Sequence, residues 1–221
     1  IKDTGLRRTY PNWVTREGAR GMEFSAWGQP GNPPEHEVNL IFTRLLAGPM
    51  DYTPGIFGMV TRSPDGIATT WAKQLALYVT IYSPLQMAAD LLDNYEANPG
   101  PFQFIKDVAV DWDDTRVLNG EIGDYVTIAR RERDGREWFL GSITDEHPRV
   151  LSADLSFLEP GVRYRAEIYR DGSNADWRDG DGRSRTDIVI ERREVTSAET
   201  LTLALAPGGG QAIRFVPLQR A

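Results

Sequence analysis

Apolar and polar positions keep one period in the first half of the chain and another in the second. Over residues 1–98 the pattern is helical, broken by short Gly/Pro-rich stretches. From Glu35 to Leu46 the apolar residues Val38, Leu40, Ile41, Phe42, Leu45 and Leu46 cover a broad face. Asn32-Pro33-Pro34 supplies a cap-then-proline entry to this helix, and Gly48-Pro49 ends it. A second helix is predicted from Thr69 to about Tyr82, with Thr69 or Thr70 as cap and Ser83-Pro84 as stop. Its Leu75, Leu77, Tyr78, Val79 and Ile81 make it a largely buried helix. Met50–Gly55 and Leu85–Ala89 are short enough to be buried strands. Helix alternating with short buried strand predicts an α/β architecture.

Asn94–Pro101 is polar and then runs Asn98-Pro99-Gly100-Pro101, which reads as a linker. Beyond it the period becomes two. Val126–Ile128, Trp138–Ile143, Val150–Ser152, Tyr164–Tyr169, Ile188–Ile190, Leu201–Leu205 and Gln211–Phe215 are strand-like. Turn residues separate them, among them Asp134-Gly135, Glu159-Pro160-Gly161, Asp171-Gly172 and Pro207–Gly210. Seven short strands with regular turns predict an antiparallel β-sandwich over residues 102–221.

Composition narrows the chemistry. The 221 residues suit one large domain or two small ones. The net charge of -7 argues against a nucleic-acid partner, which requires a basic footprint. With no cysteine, disulfides, thiolate nucleophiles and zinc–thiolate sites are excluded. His36 and His147 are the only imidazoles, so catalysis would fall to carboxylates. The six tryptophans are many for this length and read mainly as core or interface residues. No run of about 18 apolar residues exists, so no membrane-spanning helix is predicted. The opening Ile1-Lys2-Asp3-Thr4-Gly5 is neither a signal peptide nor an initiator segment, and the chain reads as beginning inside something larger.

The densest candidate site is Thr15–Phe24, where Glu17 and Glu23 alternate with Arg16, Arg20, Gly18 and Gly21. Two carboxylates facing one cavity can ligate a hard divalent cation, or one can serve as a general acid. A solvated loop with ordinary Arg–Glu pairs fits the same residues. Asp51 follows a buried-looking segment, where barrel strands carry active-site groups, but a turn carboxylate fits equally. His36, between two acids, reads as an exposed helix start. Asp171–Asp187 lacks the spacing of an EF-hand and reads as a long solvated hairpin loop. Pro207–Gly210 lacks the Lys-Ser/Thr of a phosphate loop.

Several segments together resemble glycoside hydrolase family 97, α-glucosidases and α-galactosidases of bacterial polysaccharide breakdown. They are TGLRRTYPN (Thr4–Asn12), TREG (Thr15–Gly18), RGMEF (Arg20–Phe24), NPPEH (Asn32–His36), FTRLLAGPMDYTPG (Phe42–Gly55), YSPLQMAAD (Tyr82–Asp90), IYRDG (Ile168–Gly172) and APGGGQA (Ala206–Ala212). The resemblance implies a large enzyme with an N-terminal β-sandwich, a catalytic (β/α)8 barrel and a C-terminal β domain. Residues 1–98 would be the C-terminal portion of that barrel and residues 102–221 the β-sandwich domain. The RGMEF motif then makes Glu23 the general acid, and the TREG motif makes Glu17 a calcium ligand, with Glu23 coordinating or adjoining the same Ca2+ cofactor. Asp51 stands as a substrate-binding candidate, and the substrate is an oligosaccharide. The second catalytic carboxylate is implied to lie before Ile1, in the missing N-terminal part of the enzyme, so the isolated chain is expected to be inactive. The family also implies a periplasmic location in a bacterium. Two other readings compete with this one, a non-catalytic carbohydrate-binding or interaction module and a fragment without stable function. The sequence upstream of Ile1 separates all three.

Overall fold

The computed structural model describes residues 5–61, 66–179 and 182–218. The first half is made of short helices joined by extended chain: α1 (Leu6–Thr9), α2 (Phe24–Trp27), α3 (Glu35–Phe42), a 3-10 turn (Arg44–Ala47), α4 (Trp71–Thr80), α5 (Leu92–Ala97) and α6 (Pro99–Asp107). None of them is long and apolar enough to cross a membrane. The first predicted helix runs to Leu46, but the observed one stops at Phe42. Thr43 leaves helical geometry at φ -127°, ψ -79°, and its hydroxyl donates 2.6 Å to the Asn39 carbonyl. Local side-chain bonding of this kind competes with helix propagation. The second predicted helix is α4, and Thr70 caps it by accepting from the Lys73 N–H at 3.2 Å.

Two sequence expectations fail here. Met50–Gly55 and Leu85–Ala89 are extended but are not strands. An isolated parallel bridge joins Arg16 to Met50, and the Met50 N–H donates 3.1 Å to the Tyr82 carbonyl. A strand needs successive paired residues, and each segment meets its neighbour at only one or two points. The expected linker at Asn94–Pro101 is instead helical. α6 opens with Pro99, where a missing N–H costs nothing because it would be unpaired anyway.

The second half is antiparallel β structure: β1 (Trp112–Glu121), β2 (Tyr125–Glu132), β3 (Trp138–Thr144), β4 (Arg149–Asp154), β5 (Tyr164–Asp171), β6 (Ile188–Val195), β7 (Thr200–Leu205) and β8 (Gly210–Pro217). Six strands form one sheet in the order β1-β2-β3-β8-β5-β6, while β4 and β7 pair separately. All seven predicted strands are present. The eighth, β1, is an edge strand whose side chains are mostly polar and outward, so it carries no apolar alternation to read.

Period-two alternation divides the large sheet between two cores. Phe139, Ile143, Tyr169 and Ala212 join the helical half, with α4 lying across that face. Leu140, Ile213 and Phe215 point the other way, against Leu201, Leu203 and Leu205 of β7. The approach of α4 is close: a Cβ on Gly141 would stand 2.6 Å from the Ala76 carbonyl oxygen.

Asp171, at the end of β5, fastens the helical half to the sheet. It accepts from Thr70 Oγ1 at 2.6 Å and from the N–H groups of Ala206 at 2.8 Å and Gly210 at 2.9 Å. The expected solvated loop that follows is also partly tucked in. Arg185 is buried and donates to the carbonyls of Trp177 at 2.6 Å and Met59 at 3.3 Å. Burial pushes the Asp171 carboxyl up to about 6, against these hydrogen bonds. A native-state value above the unfolded one means the folded protein binds this proton more tightly. The stabilising contribution is complete below the unfolded value near 3.8 and is lost as pH rises through about 6. Asp171→Asn is therefore expected to flatten the decline in unfolding free energy between these pH values, by up to about 3 kcal/mol. Urea denaturation at closely spaced pH values checks this, and an unchanged slope would assign the dependence to other groups.

Candidate functional site

The candidate residues are carried by two extended segments, 15–23 and 50–53, lying side by side. The Asp51 N–H donates 2.9 Å to the Arg16 carbonyl, and the Met22 N–H donates 2.8 Å to the Tyr52 carbonyl. Along Met50-Asp51-Tyr52-Thr53 the side chains alternate. Met50 and Tyr52 are buried in the core with Met22, while Asp51 and Thr53 are half-buried and Glu23 is exposed. An apolar floor therefore underlies a polar rim.

Glu23 sits at the start of α2, and its Oε2 accepts a hydrogen bond from Thr53 Oγ1. A Cβ on Gly21 would run into the Glu23 carboxylate and displace it from this position. Asp51 is close enough to feel the Glu23 charge. Burial first and Glu23 second hold the Asp51 carboxyl above its ordinary value. Asp51 Oδ1 is also buried without a hydrogen-bond partner. Glu17 presents an exposed side chain, while its backbone carbonyl accepts from Arg44 Nε at 2.5 Å. Arg44 also donates to the carbonyls of Arg16 at 2.7 Å and Gly48 at 3.2 Å, and so staples the two segments together.

The NPPEH motif clamps the turn that carries Glu23. Asn32 Nδ2 donates 2.8 Å to the Gly21 carbonyl. His36 Nε2 lies 2.9 Å from the Arg20 carbonyl, so the expected exposed histidine is half-buried and donates to the backbone. Glu37 is buried. It accepts from Tyr52 Oη at 2.7 Å, and the fully buried Lys73 Nζ stands 3.2 Å from its Oε2. Burial first, then Glu37, pushes the Tyr52 phenol well above its usual value. Arg20 lies over the Phe24 ring at 4.7 Å.

The structure thus brings Glu23 and Asp51 together with Thr53. It does not draw Glu17 or Glu23 into a group of three metal-ligand side chains among the described residues. The one such group is Asp145, Glu146 and His147. There Asp145 is already engaged. Burial raises its carboxyl, but hydrogen bonds from Arg149 and His147 outweigh that and hold it at about 2. Sequence reasoning passed over Thr53, Glu37 and Lys73, and it read Asn32 as the cap of α3, whereas the N-cap is Pro34 and the Asn32 side chain bonds Gly21 instead. For Lys73 a signal existed, since it is a lone cation within the apolar run of α4.

Comparison with known proteins follows the same lines. Residues 111–216 match the family described as "Glycosyl-hydrolase 97 C-terminal, oligomerisation". The retaining alpha-galactosidase of Bacteroides thetaiotaomicron is 36% identical over 97% of this chain, which spans 32% of that relative. A probable retaining alpha-galactosidase of Streptomyces bingchenggensis is 30% identical over 93% of this chain and 29% of its own length. A glycoside hydrolase family 97 enzyme from Pseudoalteromonas sp. strain K8, solved with acarbose, superposes with a TM-score of 0.94 at 54% identity over 99% of this chain and 34% of that one. This chain therefore spans about a third of the length of these relatives. A chain with this β half, these motifs and these relatives belongs to glycoside hydrolase family 97, and residues 111–216 are its C-terminal region.

Proposed function

We propose that this chain is the C-terminal third of an α-glycosidase in which Glu23 protonates the departing glycosidic oxygen. The observation that carries this reading is the Glu23 carboxyl, exposed on a polar rim beside Asp51, with its orientation set by Thr53. Residues 1–98 would complete a catalytic (β/α)8 barrel. The side-by-side course of segments 15–23 and 50–53 supports this, because barrel enzymes carry their catalytic groups where parallel segments end. Residues 102–221 would be the β-sandwich domain.

In the reaction, Glu23 gives its proton to the bridging oxygen as the bond to the anomeric carbon breaks. The second carboxyl group comes from the part of the enzyme outside this chain. Asp51, with an unpartnered buried oxygen at the rim, would accept from a sugar hydroxyl. Glu17 and Glu23 suit Ca2+ as hard oxygen donors, and neither forms an ion pair among the described residues. Two carboxylates fall short of the six to eight oxygens a calcium ion takes, so other segments of the enzyme must supply the rest. Bound there, the ion would fix both carboxylates and polarise oxygens brought against it.

Acarbose and panose, the ligands of the Pseudoalteromonas structures, are built of α-linked glucose-like rings. That favours an α-glucoside over an α-galactoside. A carbohydrate-binding module is less well supported. Two cavities in the β half, of about 480 and 560 Å³, are lined mainly by polar and aliphatic residues such as Arg149, Val150, Arg116 and Ser152, and their one aromatic, Phe157, packs against Trp138 and Phe215. The test is a calcium titration of the chelated parent enzyme, assayed on panose and on an α-galactoside. Activity on panose should return with calcium, and Glu17→Gln should need more calcium to reach it. Faster α-galactoside turnover would reverse the substrate assignment, and full activity under chelation would remove calcium from the scheme.

A further inference from the structure

We infer that Thr53 is the positioning residue of the general acid, a hydroxyl held in an unfavourable backbone conformation so that it fixes the Glu23 carboxyl. The inference rests on Glu23 being the acid, as proposed above.

Thr53 has φ 63°, in the left-handed region. A β-branched residue there is a genuine outlier, because its Cβ substituents crowd the backbone. Such a conformation persists only where the surroundings over-determine it, and it concentrates at functional sites. Both flanks of Thr53 are clamped. On one side, Tyr52 is buried, with Oη 2.7 Å from Glu37 Oε1, and Glu37 faces the buried Lys73. On the other, the Pro54 carbonyl accepts from Tyr78 Oη at 3.1 Å and from the Ala89 N–H at 3.2 Å. The Gly55 N–H then donates 2.9 Å to Gln74 Oε1, and its carbonyl accepts from Tyr95 Oη at 2.8 Å. Glycine or asparagine would enter this region at lower cost, yet threonine stands here. Its hydroxyl reaches Glu23 Oε2 and the Tyr52 carbonyl.

A hydroxyl is both donor and acceptor. With the acid proton on Oε1, Oε2 accepts from this hydroxyl both before and after proton donation, so one contact holds the carboxyl in both states. With Oε2 held, Oε1 is left to face the substrate. The loop thus sets the rotamer of the acid from outside its own segment.

The experiment compares Thr53→Val, Thr53→Ser and Thr53→Gly in the parent enzyme. Each is assayed on a natural α-linked disaccharide and on a dinitrophenyl α-glycoside, with calcium affinity measured by calorimetry. Thr53→Val keeps the shape without the hydroxyl. It should lower kcat/KM on the disaccharide by about 10–100-fold, the scale of one hydrogen bond to an ionised group, and lower the activated glycoside far less. Thr53→Ser should restore most of the loss. Thr53→Gly relieves the backbone while also removing the hydroxyl, so it carries the test if the valine variant folds poorly. Equal losses on both substrates, failure of serine to rescue, calcium affinity falling in step, or a fully active glycine variant would each overturn the inference. If Glu23→Gln loses selectively on the disaccharide while Thr53→Val does not, this inference alone fails. If Glu23→Gln shows no selectivity, the reading of Glu23 fails first.

Discussion

Replacing Lys73 by Met is expected to lower the unfolding free energy by about 3–5 kcal/mol, the usual cost of stranding one member of a buried ion pair. Lys73 is fully inaccessible to solvent, and Glu37 is exposed by only 1%. The ammonium donates to the carbonyls of Pro34 at 2.5 Å and Thr144 at 2.9 Å, and it lies 3.2 Å from Glu37 Oε2. Methionine matches the length and apolar stem but leaves Glu37 with the Tyr52 hydroxyl as its remaining bond, and it takes the ammonium donor away from two carbonyls. Those carbonyls belong to different elements. Pro34 precedes α3 and Thr144 ends β3, so the change also loosens the helical half from the sheet. Chemical unfolding measures the cost. The double variant Lys73→Met, Glu37→Gln should recover part of it, because the stranded charge is then gone. A cost of about 1 kcal/mol or less, or no coupling between the two changes, would show that the pair is dispensable.

How far the sequence revealed this arrangement depended on whether a residue acts through its periodicity or through a partner distant in the chain. The seven predicted strands were legible from their apolar residues, most clearly in β7, whose side chains alternate exposed and buried, while β3 is buried throughout and β6 shows only the apolar start Ile188–Ile190. The edge strand β1 buries little and left no pattern. Helix α4 was legible from its apolar run, but Asn98-Pro99-Gly100-Pro101 misled, since the same residues that break a helix also begin one. Glu23, Glu17 and Asp51 stood out as carboxylates in distinctive motifs. Their supports did not. Asn32, Thr53, Glu37 and Lys73 work through contacts between segments 11 to 71 residues apart, such as Asn32 Nδ2 to the Gly21 carbonyl and Lys73 Nζ to the Thr144 carbonyl. The expected barrel strands failed for a related reason. A parallel strand is defined by its neighbours, and the described residues supply only the bridge between Arg16 and Met50.

Glu23→Gln in the parent enzyme is expected to cut kcat/KM on natural α-linked disaccharides by about 10²–10⁴-fold, the range for losing a positioned general acid. A glycosidic oxygen leaves poorly until it is protonated, and glutamine keeps the shape and the contact with Thr53 while offering no acidic proton. Fluoride and dinitrophenolate leave without that help, so glycosyl fluorides and dinitrophenyl glycosides should lose far less. The contrast matters because Glu23 has two other credible roles at this rim. As a calcium ligand, its loss would weaken the ion and depress every substrate together. As a neighbour of Asp51, whose carboxyl feels the Glu23 charge, it helps set the field that any bound sugar meets, and that loss too would be indifferent to the leaving group. Only proton donation predicts that the penalty grows with the basicity of the departing oxygen. A plot of log kcat/KM against leaving-group pKa should therefore be steeper for Glu23→Gln than for the wild type. Parallel lines would move Glu23 from chemistry to binding and leave the acid to be found on another segment.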